Sequence, residues 1–274
     1  MSTVSPSSVP VGVDPNRASI ARVYDAALGG KDNYEIDREV LEDVKKAAPE
    51  VNDLAWSNRQ FLIRAARFMA DQAEIDQFID CGSGLPTAEN THQIVQRVNP
   101  EAKVVYVDND PVVLAHGRVL LEENENTHLI SGDIFDPDDV LGDQTLRETI
   151  DFTRPVGVLH VGTWHHYLGD DIPELMRRYV DALPSGSCVA MAHFYDPEDE
   201  TYSPIAREME KIFVASPMGS GRFRTRAEIE AMFPGLDLVE PGFSLCDEWW
   251  PDGPRMRELN QAERCIAAAV GRKP

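Results

Sequence analysis

The sequence predicts an α/β fold in which helices cover both faces of a mostly parallel sheet. From residue 78 onward, short apolar runs alternate with segments of helical periodicity, which is the pattern of parallel strands joined by helices. Three of these runs carry an aspartate at or near their ends, namely Asp80, Asp108 and Asp133. Before residue 78 the periodicity is helical only. The sequence therefore predicts a helical segment followed by a sheet with an acidic ligand-binding edge.

The first part of the chain predicts a tail and a helical segment. Residues 1–14 are rich in Ser, Val and Pro without a secretory pattern, so we expect a flexible tail there. Residues 15–77 form the predicted helical segment, which the resemblance described below implies to be a cap. Its first helix ends at the pair Gly29-Gly30, which is a typical helix stop. Two further helices are predicted over residues 38–48 and 56–72.

Residues 78–274 form the predicted sheet domain. Its end differs from the alternating part, because residues 264–270 and an earlier run, either 236–239 or 243–245, are strand-like without a long helix between them. We expect these runs to form an antiparallel pair that closes the parallel sheet. The other predicted elements are strands at residues 78–81, 103–107, 128–131, 156–161 and 187–193, and helices at 87–98, 111–123 and 171–183.

The composition narrows the possible partners. The chain has 47 acidic and 26 basic residues, for a net charge of −21, which disfavours nucleic acid and anionic membrane surfaces. No apolar run approaches the ~20 residues of a membrane span. The basic cluster at residues 222–226 predicts a solvated helix start. A small neutral or cationic substrate fits this charge better, and the sequence leaves the oligomeric state open.

The spacing of cysteines and histidines predicts neither disulfides nor a metal. The four cysteines contain no C-x-x-C pair, and three of them lie in strand-like runs. They predict free buried thiols in a cytoplasmic protein. Four histidines fall near one edge of the predicted sheet, but no H-x-x-x-H or H-x-H spacing supports a metal site among them.

The run FIDCGSG, which contains Gly82 and Gly84, carries most of the information about function. Both glycines lack a Cβ atom, so the backbone can turn sharply and approach a ligand closely. Asp108, at the end of the second strand, can accept hydrogen bonds from both hydroxyls of a ribose. Asp133 can accept from an exocyclic amine such as adenine N6, and Ile134 offers apolar surface for the base. Together these residues predict an adenosine pocket.

The glycine turn also limits the kind of nucleotide. A dinucleotide-binding turn has the pattern G-x-G-x-x-G, but Thr87 occupies the third glycine position here. No lysine follows the glycines, so the turn is not a phosphate loop of the Gly-Lys-Ser/Thr type. The turn also lacks positive charge for a pyrophosphate. These features favour a nucleoside without phosphates, and S-adenosylmethionine fits; a nicotinamide-dependent oxidoreductase is a weaker alternative.

These motifs resemble those of a known enzyme superfamily. The pattern D-x-G-x-G at residues 80–84, Asp108 and the run GDI at 132–134 are similar to the binding motifs of class I S-adenosylmethionine-dependent methyltransferases. The runs ARVYD at 21–25 and LGGKDNY at 28–34 resemble the signature of an actinobacterial S-adenosyl methyltransferase family of unknown substrate. The segment NRQFLIRA and the turn PSGS before the fifth strand match that family as well.

The resemblance implies a Rossmann-like, seven-stranded, mostly parallel sheet with an antiparallel last strand, and an N-terminal helical cap over the cofactor. It implies S-adenosylmethionine as cofactor, S-adenosylhomocysteine as product and an unidentified small-molecule acceptor. A protein that binds the cofactor for regulation or interaction, without turnover, is the alternative. The expected cofactor residues at the sheet edge are Asp80, Gly82, Ser83, Gly84, Asp108, Asn109, Asp133, Ile134 and Gly162, and those over the methionine end are Arg22, Tyr24, Lys31 and Asn33.

A possible general base follows the fourth strand. The run GTWHHY, which contains His165 and His166, resembles a histidine-containing stretch of small-molecule O-methyltransferases. Methyl transfer mainly needs positioning, with a base when the acceptor carries a proton. Histidine titrates near neutrality and can deprotonate a hydroxyl or an amine. Alternatively, both histidines cap or pack the following helix.

Overall fold

A computed structural model describes residues 13–14, 16–86, 89–120 and 124–274. The predicted tail lies outside the described residues except for Val13 and Asp14. Three helices follow, as the periodicity predicts, although the second and third begin earlier than expected. They are α1 (Ile20–Ala27), α2 (Glu35–Lys45) and α3 (Val51–Asp71).

One mixed sheet forms the centre of the fold. The strands are β1 (Gln77–Cys81), β2 (Lys103–Asp108), β3 (Thr127–Ser131), β4 (Gly157–Val161), β5 (Cys188–Phe194), β6 (Asp237–Leu238), β7 (Ser244–Leu245) and β8 (Ile266–Arg272). Their order in the sheet is β3-β2-β1-β4-β5-β8-β6, with β7 also paired to β8. The first five strands are parallel to one another, and β8 is antiparallel to each of its partners.

The fold class is confirmed, and the strand count is eight instead of seven. The two runs predicted as alternatives both form two-residue strands, and each pairs with a different part of β8. Residues 237–238 pair with Gly271 and Arg272, whereas residues 244–245 pair with Ala267 and Ala268. The last strand is antiparallel, as expected.

Seven α-helices accompany the strands in the part of the chain that the structure describes. The beginning of the predicted helix 87–98 and the end of the predicted helix 111–123 fall on residues outside the described ranges, at 87–88 and 121–123. Three helices were not predicted, of which α9 is the longest. The helices are α4 (Thr91–Val98), α5 (Pro111–Leu120), α6 (Pro137–Leu141), α7 (Gln144–Thr149), α8 (Ile172–Ala182), α9 (Ser203–Ala215) and α10 (Arg226–Glu230).

Side-chain alternation along the strands builds an apolar layer on each face of the sheet. In β1, Phe78 belongs to the apolar cluster that contains α3, and Ile79 belongs to the cluster on the opposite face with α8. All residues of β1, β4 and β5 are buried, as expected for parallel strands covered on both faces. The cap helix α3 thus lies against the sheet, where Ala65 and Met69 are inaccessible to solvent.

The topology places a crevice at the carboxyl ends of the parallel strands. The chain runs from β1 outward to β2 and β3, then returns to place β4 on the other side of β1. The strand order therefore reverses between β1 and β4, and ligands of open α/β sheets bind outside such a switch point. Among the described residues, the longest helices are too short or too polar to traverse a lipid bilayer.

Candidate cofactor and active site

A cavity of about 650 Å³ lies at the switch point, between the sheet edge and the cap helices. This volume is within the range of roughly 300–1,000 Å³ that is common for small-molecule sites. Residues that follow four successive parallel strands line it, namely Gly82 after β1, Asn109 after β2, Gly132 after β3 and Gly162 after β4. The cavity also contacts the cap through α1, α2 and α3. The sheet edge and the cap therefore share one internal space.

The glycine turn after β1 requires glycine at two positions because of their φ angles, and at the first of them also because of a close contact. Gly82 and Gly84 have φ angles of +72° and +67°, in the left-handed region that favours glycine. A Cβ atom at Gly82 would lie 2.6 Å from Cγ2 of Thr163, whereas a Cβ atom at Gly84 would meet nothing within 4 Å. The N–H groups of Gly82 and Ser83 donate to the carbonyl of Val107 over 2.8 and 3.2 Å. The turn is thus anchored to β2 and is open toward the cavity.

Asp108 joins the glycine turn to the end of β2. Its Oδ2 accepts from the Gly84 N–H over 2.8 Å, and its Oδ1 accepts from the Asp110 N–H over 2.9 Å. Burial raises the pKa of Asp108, and these backbone N–H groups act in the opposite direction. A carboxylate oxygen can accept more than one hydrogen bond. Asp108 is therefore held in one orientation and keeps acceptor capacity for a ligand beside Asn109, which lines the same cavity.

Acidic and apolar groups lie together after β3. Asp133, Ile134 and Phe135 all line the cavity. Oδ1 of Asp133 accepts from the Phe135 N–H over 3.0 Å, and the Asp133 N–H donates to Oδ2 of Asp139 over 2.8 Å. The Ile134 side chain is 8% exposed. This segment offers an acceptor and an apolar surface side by side.

Asp80 does not line the cavity. It is buried at the end of β1, where its Oδ2 accepts from the hydroxyl of Thr91 over 2.6 Å. Burial raises the pKa of Asp80 to about 6, although the Thr91 hydroxyl and the charge of Arg59 oppose this shift. The observed role of Asp80 is to join the end of β1 to the beginning of α4. Direct contact between this residue and a ligand in the cavity is therefore not supported.

The guanidinium of Arg22 is used by the cap itself. Although Arg22 lines the cavity, its Nε donates to Oδ2 of Asp37 over 2.8 Å, and both side chains are almost inaccessible to solvent. Asp37 also accepts from the N–H groups of Ser19 and Tyr34. This buried pair connects α1 to α2 and leaves Arg22 poorly suited to pair with a ligand carboxylate.

Lys31 and Asn33 also lie outside the cavity lining. Asn33 Nδ2 donates to Oδ2 of Asp25 over 2.8 Å and to the carbonyl of Gly30 over 3.1 Å. A Cβ atom at Gly30 would lie 2.0 Å from Oδ1 of Asp25, so glycine is required beside this carboxylate. Lys31 is exposed in the same turn. The turn between α1 and α2 is therefore organised around Asp25 and not around the cavity.

Among the residues of α3 that line the cavity, two are polar and were not part of the sequence-based site. Asn58 and Arg59 are 4% and 8% exposed and line it. The hydroxyl of Tyr24, another lining residue, accepts from Asn58 Nδ2 over 2.9 Å. The positive charge of Arg59 acts on both Tyr24 and Asp80, which places it near the end of β1. Asn58 and Arg59 are consecutive polar residues in a helix that is otherwise largely apolar. This pattern could have indicated from the sequence that they face a polar partner.

Both predicted base candidates line the cavity. The ring of His165 stacks on Phe194 with a centroid distance of 3.6 Å and an interplanar angle of 8°. Nδ1 of His166 lies 3.0 Å from Oγ of Ser220. Burial lowers the pKa of His165 well below its ordinary value and that of His166 to about 3. Both imidazoles are therefore neutral at pH 7, so they can accept a proton but are weak bases.

The basic cluster at residues 222–226 leads into a helix, as predicted, because α10 begins at the exposed Arg226. The cluster is not solvated throughout, because Arg224 is buried. Its guanidinium donates to the carbonyls of Tyr167 and Gly169 over 2.9 and 2.8 Å and to Nε2 of His193 over 3.1 Å. These bonds hold the segment that carries His165. His193 is itself fully buried. Among the described residues, no group of three or more side chains is arranged to hold a metal ion.

Several buried polar atoms of the cavity lining have no hydrogen-bond partner within the described part of the chain. Buried polar groups are normally satisfied, so such atoms indicate the position of a ligand. A ligand that fits must offer several polar groups beside an apolar base, and S-adenosylmethionine has this character. The atoms are Asn58 Oδ1, Ser83 Oγ, Thr163 Oγ1 and His165 Nδ1.

Sheet order, glycine turn and strand-end acids together define a class I S-adenosylmethionine-dependent methyltransferase fold. The chain belongs to the S-adenosyl methyltransferase family, whose pattern matches residues 7–274. It is therefore an enzyme that uses S-adenosylmethionine, and the non-catalytic alternative is not favoured. Among curated proteins, none matches this sequence.

Two solved structures are similar to this chain in sequence and fold, and a third is similar in fold. A putative methyltransferase from Thermobifida fusca shares 42% sequence identity over 99% of both chains, with a TM-score of 0.91. A DUF574 family protein from Streptomyces avermitilis shares 36% identity over 95% of this chain and 99% of its own, with a TM-score of 0.88. PigF, solved with SAH, shares the fold at 13% identity and a TM-score of 0.52, over 86% of this chain and 61% of its own.

Proposed function

We propose that this enzyme transfers a methyl group from S-adenosylmethionine to a small-molecule acceptor within the cavity, in the cytoplasm. Residues 15–77 act as a cap over a catalytic domain of residues 78–274. The volume of the cavity, about 650 Å³, supports a small acceptor. The net charge of −21 disfavours nucleic acid and anionic membranes. Four buried free cysteines are consistent with a reducing compartment.

The cofactor site in this proposal follows the strand ends. Asp108 accepts hydrogen bonds from the ribose hydroxyls, because its carboxylate is already oriented by backbone N–H groups. Asp133 accepts from the adenine amine, and Ile134 and Phe135 contact the base. The remaining contacts come from the backbone and side chains at Ser83, Gly84, Asn109 and Gly162.

Arg59 binds the methionine carboxylate in this proposal. Nη2 of Arg59 donates to the carbonyl of Glu89 over 2.8 Å, and its charge lies near the end of β1, beside the glycine turn. A guanidinium has five N–H donors, so it can also pair with a ligand carboxylate. Tyr24 and Asn58 lie next to it. The site excludes Lys31 and Asn33, because neither lines the cavity.

The cofactor supplies an electrophilic methyl group when it is bound. The chain contributes orientation and exclusion of water, which are the main requirements of an in-line displacement. The cap helix α3 and the segment after β4 enclose the space where an acceptor would lie. The neutral imidazoles of His165 and His166 are candidates to take up the acceptor's proton, as the sequence predicts.

One observation carries the proposal. Asn58 Oδ1, Thr163 Oγ1 and His165 Nδ1 are buried without a partner in the described residues, and all three residues line the cavity that the glycine turn opens into. Burying these atoms without hydrogen bonds costs free energy in the unliganded protein. A ligand with polar groups in the cavity would supply the missing hydrogen bonds.

Replacing Asp108 tests the cofactor site. We expect Asp108→Ala to weaken binding of S-adenosylhomocysteine, measured by isothermal titration calorimetry, by about 1–3 kcal/mol, because ligand hydroxyls lose their acceptor. Asp138→Ala is the control, since this exposed carboxylate after β3 pairs with Arg178 outside the cavity. Equal affinity of wild type and Asp108→Ala, with both proteins folded, would remove Asp108 from the site.

A further inference from the structure

The cavity has two ends of different chemistry. One end contains the glycine turn, Asp108 and Asp133, which belong to the proposed cofactor site. The other end, here named the apolar chamber, lies between α2, α3, α9 and the end of β5. Its side chains all belong to, or pack against, one apolar cluster. The residues that line the apolar chamber are Leu41, Leu54, Ala55, Phe194, Phe213 and Met218.

The apolar chamber provides no carboxylate for a cationic acceptor. The carboxylates among the described lining residues belong to the N-terminal segment and to the ends of β2 and β3. In the helices around the chamber, the one charged lining residue is Arg59, which the proposed function assigns to the cofactor. An ion in the chamber would lose its hydration without a partner, at a large cost in free energy. The lining carboxylates are Asp14, Asp108, Asp110 and Asp133.

One wall of the chamber is a stack of flat rings. Phe194 lies nearly parallel to His165 on one side, with an interplanar angle of 8°. Its angles to Phe213 and Phe223 are 19° and 21°, with centroid distances of 5.5 and 4.7 Å. These rings stack on one another and form an apolar aromatic wall. Another aromatic ring packs well against such a wall, in an offset or edge-to-face arrangement, and buries apolar area there.

Polar atoms occur where the two ends of the cavity meet. Asn58 follows the chamber residue Ala55 by one helical turn of α3. The Asn58 side chain also lies close to Gly162, because a Cβ atom at Gly162 would be 2.8 Å from Nδ2 of Asn58. His165 stacks on the chamber residue Phe194. Thr163 lies between Gly162 and His165 in the chain. The unpartnered atoms of Asn58, Thr163 and His165 can therefore serve a single small polar group on an otherwise apolar molecule.

We infer that the acceptor is an uncharged phenol whose ring lies in the apolar chamber and whose hydroxyl reaches Asn58, Thr163 and His165. This inference rests on the proposed function. On methylation, the phenolic oxygen forms a bond to the methyl carbon and loses its proton, and the electron pair of the broken carbon–sulfur bond stays on sulfur. The imidazole of His165 accepts the proton.

The weak basicity of the histidines favours a phenol over an aliphatic alcohol. Burial lowers the pKa of both His165 and His166, so neither removes a proton readily from a very weak acid. A phenolic hydroxyl has a pKa of about 10, and an aliphatic hydroxyl is a much weaker acid. A weak base can therefore deprotonate a phenol more easily than an aliphatic alcohol.

A series of ligands that share one ring system tests the inference on the wild-type enzyme. Calorimetry with S-adenosylhomocysteine first tests the proposed function. Fluorescence titrations with the product present then compare 2-naphthol with naphthalene-2-sulfonate and 2-naphthylmethylammonium. We expect 2-naphthol to bind at least about tenfold more tightly than either ion, because only the neutral ligand avoids an unpaired buried charge. Equal or tighter binding of an ion would overturn the inference.

Turnover with S-adenosylmethionine, followed by mass spectrometry, separates aromatic from aliphatic acceptors. We expect methyl ether from 2-naphthol and little or none from 2-decalol, which has the same ring skeleton without aromaticity. Faster methylation of 2-decalol would overturn the phenol assignment. If the wild type does not bind S-adenosylhomocysteine, the proposed function itself fails; if it binds the product and discriminates against 2-naphthol, only the acceptor inference fails.

A matched pair of variants locates the ligand. Met218→Trp enlarges a side chain that lines the chamber, whereas Val214→Trp places the same side chain on an exposed position of α9. We expect Met218→Trp to weaken 2-naphthol binding at least about tenfold without changing affinity for S-adenosylhomocysteine, because overpacking acts where the ligand lies. Unchanged 2-naphthol binding in folded Met218→Trp would exclude the chamber as its site.

Discussion

The sheet edge and the turn between α1 and α2 both carry conspicuous polar motifs, yet they differ in what those motifs do. At the sheet edge, the acids Asp108 and Asp133 line the cavity. At the turn, Asn33 donates to Asp25, and next to it Asp37 of α2 is paired with Arg22 of α1 in the interior. The first region presents its polar groups to the cavity, and the second uses them to hold α1 and α2 together.

The difference teaches how far a sequence motif indicates function. The carboxyl ends of parallel strands converge at one edge by topology, so a polar residue there faces the crevice. A turn between two helices has no such constraint, and its backbone groups need partners of their own. The same residue types therefore face the cavity in one region and bond to other parts of the protein in the other.

Breaking the buried ion pair between Arg22 and Asp37 should reduce the stability of the protein more than any other change described here. Asp37→Ala leaves Arg22 buried without its carboxylate and removes the acceptor for two backbone N–H groups. We expect the free energy of unfolding, measured by urea titration with circular dichroism, to fall by about 3–5 kcal/mol. Glu39→Ala, on the exposed side of α2, should change it by less than about 0.5 kcal/mol. Similar stability of the two variants would contradict the structural role of the cap motif.

Asp80 should make the enzyme less stable as the pH rises. The folded-state pKa of about 6 exceeds the ordinary value of 3.8, so between these values the folded state holds more protons than the unfolded state. Stability is therefore lost as the pH rises through this window. We expect Asp80→Asn to gain on the order of 2 kcal/mol relative to wild type between pH 4 and pH 6.5.

Thr91→Val provides a second check on Asp80. The Thr91 hydroxyl stabilises the charged form of Asp80, and its removal should extend the pH-dependent loss to higher pH. Parallel stability curves for wild type and Asp80→Asn, measured by denaturation across this range, would show that Asp80 does not titrate as described.

Much of the fold was predictable because strands and long helices leave strong periodic signals. The runs at β1 to β5 and the stripe of α3 were identified from apolar spacing alone. The sequence predicted only one of the two short strands β6 and β7, because two residues are too few to show a periodic pattern. Both strands form because they pair with β8. The helix α9 was not predicted, although Pro204 in its first turn is a typical helix start.

The site was predictable where topology brings residues together and not where packing does. Gly82, Asp108 and Asp133 follow strands, so their convergence could be inferred from the order of elements. Asn58 and Arg59 reach the cavity only because α3 packs across the sheet. No local pattern encodes that crossing. Lys31 is more conspicuous in the sequence, but it is exposed and does not line the cavity.

The most direct test of the central claim compares Arg59→Gln with Lys31→Gln by calorimetry with S-adenosylhomocysteine. If the cofactor is held by the strand ends and α3, Arg59→Gln should lose about tenfold or more in affinity, because a charge-assisted bond is removed. Lys31→Gln should bind as wild type does, and thermal melting should show both variants folded. A large loss in Lys31→Gln, with Arg59→Gln unchanged, would contradict the account.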